Sequence, residues 1–304
     1  MTGIASPPPA AAFPLIALPL AALILGALAM GISPIFVRLA EVGPFASAFW
    51  RVAGALPILW AWAAVEAHGA GKPSLAASRL DRAILLSGLA FALDLVFWHL
   101  AILHTTVANA TFLVTMAPVW VVLGSGLLIG ERVGREIAGG LLLCLLGAAG
   151  LIGTSYRLAP QHLGGDLYGV VASLFFGLYF LAVRVARRRS GPGRILFLTS
   201  LVTAVVLFLV AWLDGEPMLP PSLAGVAALA GLALVSHTSG QGLLTYALGH
   251  LPAAFSSLVI FIEAVAAAIF AWAFLGEVVG AIQAVGSALI LAGITMARPR
   301  RNRS

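Results

Sequence analysis

The sequence predicts an all-α integral membrane protein of ten transmembrane helices, built from two inverted five-helix repeats. Three observations predict it. Of 304 residues, 61% are hydrophobic and 9% charged, with a mean hydropathy of +1.07, whereas a soluble domain carries about 25% charged residues. Ten apolar runs fill the chain, each near the roughly 20 residues that a bilayer-spanning helix needs. Finally, the sequence matches itself when shifted by 146 residues. This composition excludes a soluble enzyme and leaves no room for a sizeable extramembrane domain. The net charge of +6 is carried mostly by arginines between and after apolar runs, a pattern of membrane topology rather than of a nucleic-acid face.

Residues 1–12 hold Pro7, Pro8 and Pro9 without Lys or Arg, and read as a disordered tail lacking the basic start of a cleaved signal peptide. The first run, 13–34, passes through Gly31 and closes towards Arg38; the second, 45–66, opens behind Pro44 and contains Arg51. Runs 83–103 and 107–129 follow, the latter ending on Gly130-Glu131, and 137–153 holds the single cysteine, Cys144. The second half repeats the series at 167–186, 195–213, 223–248, 253–275 and 280–297, before a basic tail at 298–304. The two repeats therefore span 13–153 and 167–297. Apolarity without period-two alternation marks helices rather than a porin-type barrel.

Basic residues set the orientation. Fourteen of the seventeen Lys and Arg fall in even-numbered connections and the C-terminal tail, so both termini are expected in the cytoplasm. At the 146-residue shift, Gly130-Glu131 falls on Gly276-Glu277, Val37-Arg38 on Val183-Arg184, His104 on His250, and Gly140 and Gly147 on Gly286 and Gly293. Five spans per repeat is an odd number, so the second copy enters the membrane the other way up. Inverted repeats around a midplane site are a transporter architecture.

Ionisable groups cost about 2.5–3.5 kcal/mol or more at a bilayer centre, so those within spans are expected to face protein or a wet cavity. Asp94 and Trp98 share a helical face of the third span, and His237 and Gln241 share one in the eighth, where the repeat puts His237 on Phe91 and Gln241 next to the Asp94 equivalent. Asn109, Met116 and Trp120 in the fourth span, Tyr179 in the sixth, Glu263 in the ninth and Ser33 in the first complete a candidate lining. Such a mixture of aromatic, thioether, amide and carboxylate groups suits a small amphipathic solute rather than a bare ion. Hydrogen bonding between helices for stability alone is the alternative use of these groups.

Elsewhere, Glu131 and Glu277 are expected to bond backbone or arginine at span ends, while Arg38 and Arg184 snorkel to the interface. Arg51, about two turns into its run, is expected to pair with Glu41 or another carboxylate. His104 and His250 are expected to stabilise turns, and Cys144 to pack inertly. Gly280, Ala284, Ala288 and Ala292 form a small-residue stripe expected to make a close helix contact, within the chain or to a second subunit. Both a monomer and a homodimer are compatible with the sequence. It contains no metalloprotease helix, nucleophile elbow, phosphate loop or Cys/His cluster, and no cofactor is implied.

The duplicated unit resembles the EamA family of the drug/metabolite transporter superfamily. The resemblance rests on Gly31 through Arg38, Pro44 to Arg51, Trp98 through Pro118 with Gly130-Glu131, and Phe261-Ile262-Glu263 with Gly276-Glu277. It departs at Glu263-Ala264, where such proteins commonly have Glu-Pro. The resemblance implies a ten-helix exporter in the bacterial inner membrane, with a central cavity lined from both halves, similar to exporters of amino acids including aromatic ones. A drug or quaternary-amine exporter is the alternative within transport. An intramembrane enzyme using Asp94 and His237, or a channel, is the alternative outside it.

Overall fold

The computed structural model describes residues 13–69, 81–105, 107–152, 160–275 and 280–298. The tail 1–12, the cations Lys72, Arg79 and Arg157, Glu277 and the basic tail beyond Arg298 lie outside the described residues. Every regular element among those described is helical. Among the described residues, seven helical segments are long and apolar enough to cross a membrane: Ala17–Leu39, Pro44–Gly69, Arg82–His104, Leu163–Ala186, Pro192–Asp214, Leu223–Ala247 and Ala253–Phe270. Phe112–Leu128 and Ala281–Ala297 are shorter apolar helices. With the helix Arg135–Ile152, these follow the ten apolar runs in order.

Several runs are broken within their length. The first divides into α1 (Phe13–Gly31) and α2 (Ser33–Leu39), the second into α3 (Pro44–Ala53) and α4 (Leu56–Gly69). After α5 (Arg82–His104), the fourth divides into α6 (Val107–Val114) and α7 (Ala117–Leu128). In each divided run the second piece begins beside a proline, Pro34, Pro57 or Pro118, which has no N–H to donate and whose ring crowds the preceding turn. Helix α8 (Arg135–Ile152) ends the first half.

The second half has fewer prolines and breaks differently. Helices α9 (Leu163–Ala186) and α10 (Pro192–Asp214) run unbroken, the latter stopped by Gly215 at φ 74°. The eighth run is α11 (Leu223–Gly231), a π-helical stretch (Leu232–Gln241) and α12 (Gly242–Ala247). The ninth divides at Ile260 into α13 (Ala253–Val259) and α14 (Phe261–Leu275), at the repeat position of Val114 and without a proline. Helix α15 (Ala281–Ala297) closes the chain.

Helix contacts come in mates under the 146-residue shift. Helix α5 packs on α9 as α1 packs on the π stretch and α12, and α7 packs on α9 as α1 packs on α14. Helices α8 and α15 pair with each other, and α10 packs along α3 and α4. The α8–α15 contact is glycine-lined: a Cβ on Gly147 would lie 2.4 Å from the Gly286 carbonyl oxygen, and one on Gly293 would lie 2.6 Å from that of Gly140. Gly286, Ile290, Gly293 and Ala297 are the buried residues of α15. The stripe Gly280, Ala284, Ala288 and Ala292 is exposed, so the close contact within the chain uses a neighbouring face of the helix.

Spans two and seven cap each other. Helix α3 enters through Gly43-Pro44, and its first free amides, Phe45 N and Ala46 N, donate to Glu216 at 3.2 and 2.6 Å, just beyond the end of α10. Helix α10 enters through Gly191-Pro192, and Arg194 N donates to Glu66 in α4 at 3.2 Å. Each carboxylate thus meets the positive end of the other span's helix.

Candidate functional site

The broken helices converge on a cavity of about 150 Å³. Met30, Ser33 and Pro34 reach it from the α1–α2 break, Thr115, Ala117 and Pro118 from the α6–α7 break, and Ile260, Phe261 and Glu263 from the α13–α14 break. Interrupted membrane helices supply backbone ends and polar groups at mid-depth where a regular helix has none free. The wall is largely aromatic and aliphatic, with Phe91, Trp98, Phe176 and Phe180 contributed by α5 and α9.

Three ionisable side chains line this cavity: Arg51 from α3, Asp94 from α5 and Glu263 from α14. The carboxylates that act electrostatically on Arg51 are Glu263 first and Asp94 second. No ion pair joins Arg51 to either acid, whereas Arg184 meets Glu131 in one at 2.6 Å. Arg51 Nε is buried without a hydrogen-bond partner. Three ionisable groups therefore stand around one small space without an ion pair between Arg51 and either acid. Gln241 completes the polar set, its side-chain oxygen accepting the Tyr179 hydroxyl at 3.1 Å, which keeps the two amide N–H donors for other partners.

Of the residues singled out in the sequence, Asp94, Trp98, Gln241 and Glu263 line the cavity, as does Ser33. Five others are placed elsewhere, each with a local reason. Asn109 is fully buried and donates to Asp166 at 2.9 Å; Thr105 donates to the same oxygen, tying α6 to the start of α9. Met116 sits in the break between α6 and α7, and its neighbours Thr115 and Ala117 reach the wall instead. The Trp120 indole N–H donates to Ser173 at 2.8 Å, with its side chain against Gly177. Tyr179 stands behind the wall, its ring 4.8 Å from that of Phe91.

His237 is buried, bonded through Nε2 to Ser200 at 2.8 Å and stacked on Phe91 at 5.8 Å. The four-residue spacing that places His237 and Gln241 on one α-helical face changes meaning in a π-helix, whose bonds run from i to i+5. Gln241 meets the cavity and His237 does not.

Sequence reasoning missed Arg51 as a lining residue. Its proposed partner Glu41 instead accepts from Ser222 at 2.6 Å. The signal was present, since an arginine inside an apolar run needs a polar destination. The expectations at the span ends fared variously. Glu131 bonds both an arginine and backbone, as expected: it accepts Arg184 Nε at 2.6 Å, and its other oxygen accepts Ala253 N at 2.9 Å and so caps α13. His104 and His250 each bond through Nδ1 to the carbonyl four residues back, Leu100 at 2.9 Å and Tyr246 at 3.0 Å, the same turn device in both repeats. Among the described residues there is no group of three His, Cys, Asp or Glu able to hold a metal.

A polytopic helical membrane protein with an aromatic cavity between its two homologous halves has the build of a solute carrier. The EamA-like transporter family model matches twice, at residues 17–153 and 163–298, and the chain belongs to that family. A relative from Pseudomonas aeruginosa, named pseudopaline exporter CntI, is 30% identical over 220 residues, covering 72% of this chain and 75% of the relative. An uncharacterized transporter from Archaeoglobus fulgidus is 30% identical over 224 residues, covering 72% and 77% of the two chains. A solved crystal structure shares the fold with a TM-score of 0.78, at 19% identity, over 94% of this chain and 97% of that one. The protein is therefore a multi-pass membrane transporter.

Proposed function

We propose that the protein exports small amphipathic metabolites, amino acids foremost and aromatic or hydrophobic ones among them, across the bacterial inner membrane by alternating access. The observation that carries this reading is the central cavity, in which Arg51, Asp94, Glu263 and Gln241 share a small space with Phe91, Trp98, Phe176 and Phe180. Polar groups of the solute are read by the first set and its side chain by the second. Tyr179 acts through Gln241, and His237 supports Phe91 from behind. Asn109, Met116 and Trp120 shape the fourth span around the site rather than touch the solute.

In this reading ten spans form two inverted halves, 13–153 and 167–297, with both termini cytoplasmic. The mated helix contacts and the double family match support it. Exchange of the two halves' conformations opens the cavity to one side and then the other. The name of the Pseudomonas relative supports the export direction and a small-molecule cargo.

Labelled amino acids supplied to proteoliposomes test the proposal. Saturable uptake of some of them is expected, together with its loss in Asp94→Ala and Gln241→Ala at unchanged folded yield. Parallel loss of transport and folded protein assigns those residues to the bundle's stability instead. Protection of cells against quaternary ammonium compounds, with no amino acid transported, favours a drug exporter.

A further inference from the structure

We infer that Arg51 is the carboxylate anchor of the transport site, so that its solutes carry a carboxylate and an ammonium group together. This rests on the transport reading above and narrows its substrate class.

The geometry carries it. Arg51 lies in the last turn of α3, just before the break at Gly54, and lines the cavity with its Nε buried and unbonded. An arginine so deep in an apolar run is costly unless something at the site repays it. Asp94 and Glu263 line the same cavity and form no ion pair with it, so the guanidinium stays open to a ligand. Its planar fork matches a carboxylate through two parallel N–H···O bonds, which a lysine does not reproduce.

Charge logic then restricts the cargo. A solute bearing only a cation leaves Arg51 without a partner, and one bearing only an anion leaves Asp94 and Glu263 unmatched. A solute with both groups close together satisfies all three, while its side chain lies on the aromatic wall. A quaternary ammonium drug lacks the half of the molecule that Arg51 is placed to hold.

The test uses proteoliposomes and the labelled amino acid that the intact chain takes up best, with unlabelled competitors of graded charge. These are the amino acid itself, its methyl ester and its decarboxylated amine. The acid is expected to compete about ten- to a hundredfold better than either analogue, the range that one charge-assisted, bidentate contact supplies. In Arg51→Gln the advantage collapses because the acid weakens while the ester does not, and Arg51→Lys recovers part of it. Equal competition by acid, ester and amine in the unaltered protein overturns the inference and leaves the transport reading intact. Absence of uptake of every amino acid by folded protein removes both. Should Arg51→Gln fail to fold, the competitor series on the unaltered protein decides alone.

Discussion

The α8–α15 contact allows a worked prediction. Gly147 and Gly293 are mates in the repeat, as are Gly140 and Gly286, and these four let the helices approach until backbone meets backbone. In Gly147→Ala the new methyl group falls 2.4 Å from the Gly286 carbonyl oxygen, 2.8 Å from Ile290 Cγ1 and 2.9 Å from Ile290 N. Ordinary contact begins near 3.4 Å, so the helices must part by about 1 Å. Two of these obstacles are backbone atoms that no rotamer change can move. Parting also loosens the Gly140–Gly293 approach on the same seam, where an added Cβ would meet backbone at 2.5–2.6 Å. Overpacking of this kind costs about 1–3 kcal/mol. The assay is the apparent melting temperature of detergent-purified protein, followed by the recovery of monodisperse material after heating. Gly147→Ala should melt clearly below the unaltered protein, whereas Ala288→Leu, on the exposed stripe of α15, should not. The opposite ranking would mean that α15 presents its other face to the bundle, and would refute the packing argument.

Other predictions follow from single bonds. Glu131→Ala removes the acceptor of both Arg184 Nε and Ala253 N, at side-chain exposures of 20% and 16% for Arg184 and Glu131, and should cost about 2–4 kcal/mol in the same melting assay. Glu131→Gln, keeping an acceptor, should recover part of that loss. Glu216→Ala should cost about 0.5–2 kcal/mol by uncapping α3, and a Glu216→Asp protein melting as low as Glu216→Ala would show that reach matters as much as charge. Tyr179→Phe keeps the ring against Phe91 but frees the Gln241 amide. It should raise KM for the solute with little change in melting, about 0.5–1.5 kcal/mol being the worth of one hydrogen bond. A melting loss with KM unchanged would make the bond structural.

Much of the fold was legible because a bilayer writes it into composition. Ten apolar runs and an offset of 146 residues give the order and pairing of elements without any contact being known. What was not legible is where a helix changes winding. Pro34 and Pro118 sit in plain view, and both turned out to mark cavity-lining breaks, yet the equal break at Ile260 has no proline to announce it. The π stretch is likewise silent in the sequence, and it separates Gln241 from His237. Asp94, Trp98 and Glu263 were readable because a polar or indole group in an apolar helix points inward. Arg51 was harder, since an arginine inside an apolar run needs a polar destination that the sequence does not name. Asn109 and Trp120 illustrate the opposite error, for each found a hydrogen-bond partner, Asp166 and Ser173, on a helix far along the chain.

The central claim is that solute crosses by a cavity open to one side at a time, and counterflow tests it most directly. Proteoliposomes loaded with a high concentration of an unlabelled amino acid are diluted into a trace of the labelled one. The account predicts a transient accumulation of label above its equilibrium level, lost in Asp94→Ala, because each returning carrier brings label inward. Label that only equilibrates, at a rate indifferent to what the vesicles contain, would contradict alternating access and describe an open pore.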